Sequence, residues 1–231
     1  MTAANLDSLK RQAAIKSVEY IRDGMVVGLG TGSTAKHMIA ALGERIKKGL
    51  KIKGVPTSRE TAKLARKAKI PLLPGESVVP IDVAIDGADQ VDPQFNLIKG
   101  GGGALLKEKI VASAARRFIV VVDHSKRVPV LGGSFPLPVE VIPFGWRNTA
   151  QRLEALGGTP ELRKKGGKIF VTETGHYILD VRFSRIDDPA ALEWKLNSIP
   201  GVVENGLFVG RTDVLLVGTP QGVDVQQAAK R

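Results

Sequence analysis

Cysteine is absent from the 231 residues, which excludes a disulfide scaffold, a thiol nucleophile and any Cys-ligated zinc or iron–sulfur site. Aromatic residues make up only 5%, too few among the basic clusters to build a stacking platform for single-stranded nucleic acid. No apolar run approaches the ~20 residues a membrane helix requires. The stretch 1–22 is interrupted by Asp7, Lys10, Arg11, Lys16, Glu19 and Arg22, so no secretory signal is read there and a cytoplasmic location is expected. The histidines, His37, His124 and His176, lack metal-ligand spacing.

What is present reads as an ordinary globular chain. Hydrophobic residues are 43% and charged residues 25%, which excludes disorder as the main state and suits one large domain or two small ones. The charge is lopsided: 34 Lys+Arg against 23 Asp+Glu give +11. Basic residues cluster at Lys47, Lys48, Lys51 and Lys53, at Lys63, Arg66, Lys67 and Lys69, and at Arg163, Lys164, Lys165 and Lys168. No nucleic-acid recognition motif accompanies them. They read as solvated helix faces and as an attraction for anionic small molecules, phosphorylated substrates above all.

Along the chain, apolar spacing predicts a helix over 5–21, a strand at 25–29, and helices over 35–47 and 58–67 with a strand at 52–55 between them. A strand at 81–85, a helix over 104–117 and a β-branched strand at 118–122 follow. Strands alternating with helices predict a parallel sheet covered on both faces. After Pro129 the rhythm changes. A strand at 139–142, a helix over 146–156, a strand at 168–172, a second hairpin arm at 177–183, a helix ending at 197 and a strand at 202–209 give β-α-β-β-α-β, the ferredoxin-like unit. A strand at 214–217 returns to the first sheet. The expected fold class is α/β: a Rossmann-like, mostly parallel sheet domain (1–131 plus 208–231) with an inserted smaller ferredoxin-like α+β domain (132–207).

Two glycine-rich stretches carry the chemistry. Gly30-Thr31-Gly32-Ser33-Thr34 falls between a strand and a helix, where backbone amides, the helix dipole and two hydroxyls suit an anion. The dinucleotide fingerprint is incomplete, with Ser33 at the third glycine position and Lys51 and Lys53 where an acidic ribose partner belongs. The second stretch is Asp86-Gly87-Ala88-Asp89, then Lys99-Gly100-Gly101-Gly102-Gly103, then Glu108. Asp86 ends a strand, at the edge where open α/β sheets place ligands. These residues fit two chemistries. Asp86 and Asp89 suit a magnesium ion with a phosphate; alternatively Glu108 removes a proton beside a carbonyl while Lys99 stabilises the resulting oxyanion. Asp123-His124-Ser125-Lys126 follows the next strand, making Lys126 a candidate phosphate or hydroxyl contact.

The combination resembles the type A ribose-5-phosphate isomerases. The similar blocks are Gly30-Thr31-Gly32-Ser33-Thr34, Asp86-Gly87-Ala88-Asp89, Lys99-Gly100-Gly101-Gly102, Lys107-Glu108-Lys109 and Ser125-Lys126, with Phe135-Pro136-Leu137-Pro138-Val139-Glu140-Val141 and Ile199-Pro200-Gly201-Val202-Val203. The resemblance implies interconversion of ribose 5-phosphate and ribulose 5-phosphate without metal or organic cofactor, in a dimer or tetramer. It implies that Thr31, Gly32, Ser33, Thr34, Gly87 and Ala88 line the substrate site, that Asp86 assists ring opening beside Asp89, and that Lys99 with Gly100, Gly101 and Gly102 stabilises the enediolate. Glu108 would be the base, Lys126 a substrate contact, and Lys10 a residue reaching the phosphate. Gln90 departs from the family's more frequent Glu; the position lies outside the implied site residues, so no loss of activity is expected, although the change can alter the field around Asp89. The competing readings are a magnesium-dependent phosphotransferase and a sugar-phosphate sensor. Missing nucleotide motifs weigh against the first, and the lack of an accompanying DNA-binding module against the second.

Overall fold

The computed structural model describes residues 3–75 and 80–228. The first elements are α1 (Ala3–Ser17), β1 (Val26–Leu29), α2 (Ser33–Lys47), β2 (Lys53–Pro56), α3 (Arg59–Lys67), β3 (Val83–Asp86), β4 (Gln90–Val91), β5 (Leu97–Ile98), α4 (Leu105–Ala114) and β6 (Phe118–Asp123). They continue with β7 (Leu137–Val141), α5 (Trp146–Glu154), β8 (Thr159–Leu162), β9 (Lys164–Lys165), β10 (Lys168–Ile169) and β11 (Tyr177–Arg182). The last are α6 (Pro189–Asn197), β12 (Val202–Asn205), β13 (Leu207–Phe208), β14 (Val214–Thr219) and β15 (Gly222–Gln227). The chain divides into two compact units: Met1–Ala88 with Lys107–Arg127 and Arg211–Arg231, and Asp89–Leu106 with Val128–Gly210.

The first unit is built on a six-stranded sheet in the order β15-β14-β6-β3-β1-β2. Every pair from β14 to β2 is parallel and only β15 runs against its neighbour. All six residues of β6, Phe-Ile-Val-Val-Val-Asp, are buried, as a strand covered on both faces requires. Ala13, Val18, Met38, Leu42, Ile85, Val121 and Leu216 belong to the core this sheet shares with α1 and α2. Helix α3 starts where Ser58 Oγ accepts the Thr61 amide at 3.1 Å, with Glu60 in the first turn and Arg66 and Lys67 in the last; both ends thus complement the helix dipole. Strand β15 was not expected. Its Val223 and Val225 alternate with Asp224 and Gln226 on an edge, leaving no apolar run to read.

The second unit contains a four-stranded antiparallel sheet in the order β12-β7-β11-β8. With α5 and α6 this is the expected ferredoxin-like unit, but its second strand lies elsewhere. On the side of β11 away from β7 the ladder is made by Thr159–Leu162, and the expected 168–172 meets β11 only through a single bridge between Val171 and Tyr177. Pro160 obscured that strand in the sequence, and the edge position is where a sheet tolerates proline. Residues 168–169 instead pair with Lys164–Lys165 in a small hairpin closed by Gly166 and Gly167. The strand expected over 202–209 is broken at Gly206, whose amide donates to Pro138 O at 2.8 Å. Its second half, β13, joins β5 and β4 in a separate three-stranded sheet.

That small sheet explains where the units divide. The expected division was 1–131 plus 208–231 against 132–207, with residues 1, 2, 76–79 and 229–231 lying outside the described residues. In the structure Asp89–Leu106 belongs with the second unit, because β5 pairs with Leu207–Phe208 and the Lys99 amide donates to Gly206 O at 2.9 Å. Helix α4 is also shorter than the 104–117 expected. Past Ala114 the Arg116 amide turns to Ile81 O at 2.9 Å, steering the chain into β6.

Candidate active site

Strands β2, β1, β3, β6 and β14 are parallel, so the loops that follow β1, β3 and β6 leave the sheet at one edge. Strand order reverses between β1 and β3, since the chain runs from β1 to β2 on one side and returns to β3 on the other. Such a switch point opens a crevice at the carboxyl ends of the strands. The first glycine loop and Asp86 occupy the two sides of it.

Here the loops are joined atom by atom. The Gly30 amide donates to Ile85 O at 3.0 Å. Asp86 Oδ1 accepts the Thr31 amide at 3.1 Å and its neighbour's Gly87 amide at 2.8 Å. A methyl group added at Gly30 would lie 2.2 Å from Asp86 Oδ1, so only glycine leaves room for the carboxylate. Thr31 Oγ1 lies 2.7 Å from Thr57 Oγ1, and Thr61 Oγ1 donates to Gly30 O at 2.8 Å. Helix α2 begins after Gly32, whose φ of 97° is open to glycine. Ser33 is exposed in its first turn, while Thr34 is buried against Gly87. The structure thus brings Thr31, Gly32, Ser33, Thr34, Asp86, Gly87 and Ala88 together within the first unit.

Two lysines stand on the same unit. Asp123, fully buried at the end of β6, caps the turn His124–Lys126 by accepting the Ser125 amide at 2.9 Å with Oδ1. Its other oxygen lies 3.5 Å from Lys10 Nζ. One carboxylate therefore orders both Lys10 on α1 and the turn that carries Lys126. Glu108 sits in the first turn of α4 with 6% of its surface exposed. One turn later Val111 packs on the bare face of Gly28, where a methyl would come within 2.5 Å of Val111 Cγ1.

The second unit holds the other candidates. Asp92 organises the turn between β4 and β5 by accepting the Gln94 and Asn96 amides at 2.9 and 2.8 Å. Lys99 follows β5 and is only 3% exposed, its ammonium 5.5 Å from the centre of the Phe208 ring, a favourable cation–π placement for a desolvated charge. The Asp89 amide donates to Ile98 O at 2.8 Å, and Asp89 Oδ2 accepts the Gly101 amide at 2.8 Å. Gly100 and Gly103 have φ of 99° and 82°, and the Gly103 amide closes the turn onto Gly100 O at 3.0 Å. The Gln90 side chain reaches Gly132, donating to O at 2.9 Å and accepting the amide at 2.8 Å.

These residues lie inside a wider likeness. The model of ribose 5-phosphate isomerase A, also called phosphoriboisomerase A, matches residues 53–222. Ribose-5-phosphate isomerase A of Thermococcus kodakarensis is 50% identical over 224 residues, covering 95% of this chain and 97% of the relative. The chain belongs to the ribose 5-phosphate isomerase A family. Ribose 5-phosphate isomerase A of Methanocaldococcus jannaschii superimposes with a TM-score of 0.92 at 44% identity, over 96% of this chain and 99% of that one. A D-ribose-5-phosphate isomerase in complex with phospho-erythronic acid superimposes with a TM-score of 0.93 at 45% identity, over 96% and 99%. The family interconverts ribose 5-phosphate and ribulose 5-phosphate in the pentose phosphate pathway, and this chain is one of its isomerases.

Two residues that order this isomerase's candidate site carry no functional signal in the sequence. Asp123 ends an apolar strand, and no pattern in the sequence marks it as the partner of Lys10. Arg163 stands in sequence beside exposed lysines, yet its Nη1 donates to Gly100 O at 2.9 Å. Lys164, Lys165 and Lys168 lie exposed on the β9–β10 hairpin, not on a helix face. Among the described residues no helix is long and apolar enough to cross a membrane, and no group of three or more His, Asp or Glu stands placed to hold a metal ion.

Proposed function

We propose that this chain interconverts D-ribose 5-phosphate and D-ribulose 5-phosphate through an enediolate, in the non-oxidative branch of the pathway. Asp86 assists opening of the furanose by moving the proton of the C1 hydroxyl toward the ring oxygen as the C1–ring-oxygen bond breaks. Glu108 then takes the C2 proton and returns it to C1, while the proton of the C2 hydroxyl passes to the oxygen at C1, so the aldehyde becomes a hydroxyl as C2 becomes the carbonyl and both protons are accounted for. Negative charge builds on the oxygens at C1 and C2 during transfer, and Lys99 with the glycine-loop amides answers it. Fixed donors of that kind cost no reorganisation at the moment of reaction. Thr31, Gly32, Ser33, Thr34, Gly87 and Ala88 line the substrate, Asp89 stands beside Asp86, and Lys10 and Lys126 contact the anionic end.

The observation that carries this reading is the placement of Glu108, a buried carboxylate in the first turn of the helix that follows the glycine run. The net charge of +11 agrees with a phosphorylated substrate. So does the relative in complex with phospho-erythronic acid, a phosphorylated acid. The reading includes a reaction free of metal and organic cofactor, a cytoplasmic location and a homo-oligomer, dimer or tetramer, with no nucleic-acid or membrane partner. Purified protein incubated with ribose 5-phosphate tests it: a ketose should accumulate without added nucleotide and after exhaustive chelation. No ketose from folded protein, or activity restored only by a metal, would overturn it.

A further inference from the structure

Arg163 opens a run of basic residues but is turned inward, with 14% of its side chain exposed. Its Nη1 donates to Gly100 O at 2.9 Å and to Gly101 O at 3.3 Å. Its remaining edge is held by Asp180, with Nε donating to Oδ2 at 2.8 Å and Nη2 to Oδ1. Asp180 lies on β11, between β7 and β8 in the four-stranded sheet, so the fork is anchored to a rigid element. The guanidinium also lies 5.9 Å from the centre of the Phe170 ring. A methyl at Gly103 would fall 2.5 Å from that ring, so Phe170 fills the space against the loop's last glycine.

A planar trans peptide points its carbonyl and the following N–H in opposite directions. Drawing the carbonyls of Gly100 and Gly101 toward Arg163 therefore aims the amides of Gly101 and Gly102 the other way. Asp89 receives the first of these at 2.8 Å. We propose that Arg163, gripped by Asp180 and backed by Phe170, is a positioning residue that sets the peptide planes of the glycine loop and aims the Gly102 amide at the oxygen that becomes negative. This rests on the isomerase reading above. Lysine is no substitute, because a single ammonium cannot span two carbonyls and a carboxylate as the planar fork does.

Arg163→Met, Arg163→Lys and the exposed controls Lys164→Gln and Lys165→Gln test the proposal in the full chain, each checked for folding. In Arg163→Met, kcat should fall about 10–100-fold, less than outright loss of an oxyanion donor, with KM within about threefold because ground-state contacts survive. Arg163→Lys should lose nearly as much, and the controls nothing. The amide resonances of Gly101 and Gly102 should shift in Arg163→Met, and their hydrogen exchange should quicken. Kcat within about twofold of wild type, full rescue by lysine, an equal loss in the controls, or unmoved glycine amides would each overturn it. Wild type inactive on ribose 5-phosphate would instead sink the isomerase reading, and the amide measurement would still decide whether Arg163 sets the loop.

Discussion

Gly30→Ala should damage the site through a single methyl group. The added carbon would sit 2.2 Å from Asp86 Oδ1, 2.3 Å from Cγ and 2.7 Å from Cα. The backbone cannot retreat easily, since the Gly30 amide is tied to Ile85 O and its carbonyl to Thr61 Oγ1. The carboxylate must therefore leave, giving up the Thr31 and Gly87 amides. Overpacking of this kind costs about 1–3 kcal/mol, and bonds to a charged acceptor contribute about 1.5–3 kcal/mol each. Partial relaxation brings the expected loss to roughly 3 kcal/mol, read as a lower urea midpoint. Displacing Asp86 by about an ångström should also cut kcat about 100-fold. Gly24→Ala is the control: it has positive φ but nothing within 4 Å of the added methyl, so it should cost about 1–2 kcal/mol of backbone strain and leave kcat alone. If Gly30→Ala matched wild type in both midpoint and turnover, the packing argument for Asp86 would be wrong.

Two further variants probe the supports. Gln90→Met removes the side-chain amide that pairs with both the amide and the carbonyl of Gly132; leaving these buried groups unpaired should cost about 1–3 kcal/mol, and an unchanged urea midpoint would refute the pairing's importance. Asp123→Asn keeps an acceptor for the Ser125 amide but no longer holds Lys10 by charge; KM for ribose 5-phosphate should rise about fivefold, the equivalent of ~1 kcal/mol, with kcat retained. A fall in kcat at constant KM would assign Asp123 a different task.

Much of this was legible because it obeys simple periodicities. The buried run of β6 and the helix–strand alternation before Pro129 announce a parallel sheet, and a parallel sheet dictates which loops share an edge. Asp86 and Gly30-Thr31-Gly32-Ser33-Thr34 could be assigned to that edge from the strand preceding each. What stayed hidden depends on pairings remote in sequence. Strand β8 carries Pro160 and has no apolar run, and it is a strand because β11 lies beside it. The segment Asp89–Leu106 joins the second unit through Leu207–Phe208, more than a hundred residues away. Arg163 looks like its lysine neighbours in composition and differs from them only in what it touches. Gln90 likewise reads as a neighbour of Asp89, whereas its partner is forty-two residues on.

Proton transfer at C2 tests the central assignment most directly. Ribose 5-phosphate deuterated at C2 should lose or relocate its label during turnover by wild type. Glu108→Gln keeps the size of the side chain but cannot accept a proton, so exchange and turnover should fall together by at least ~10²-fold, with substrate affinity largely intact. Exchange at the wild-type rate in folded Glu108→Gln would contradict the account, since the base would then be another group.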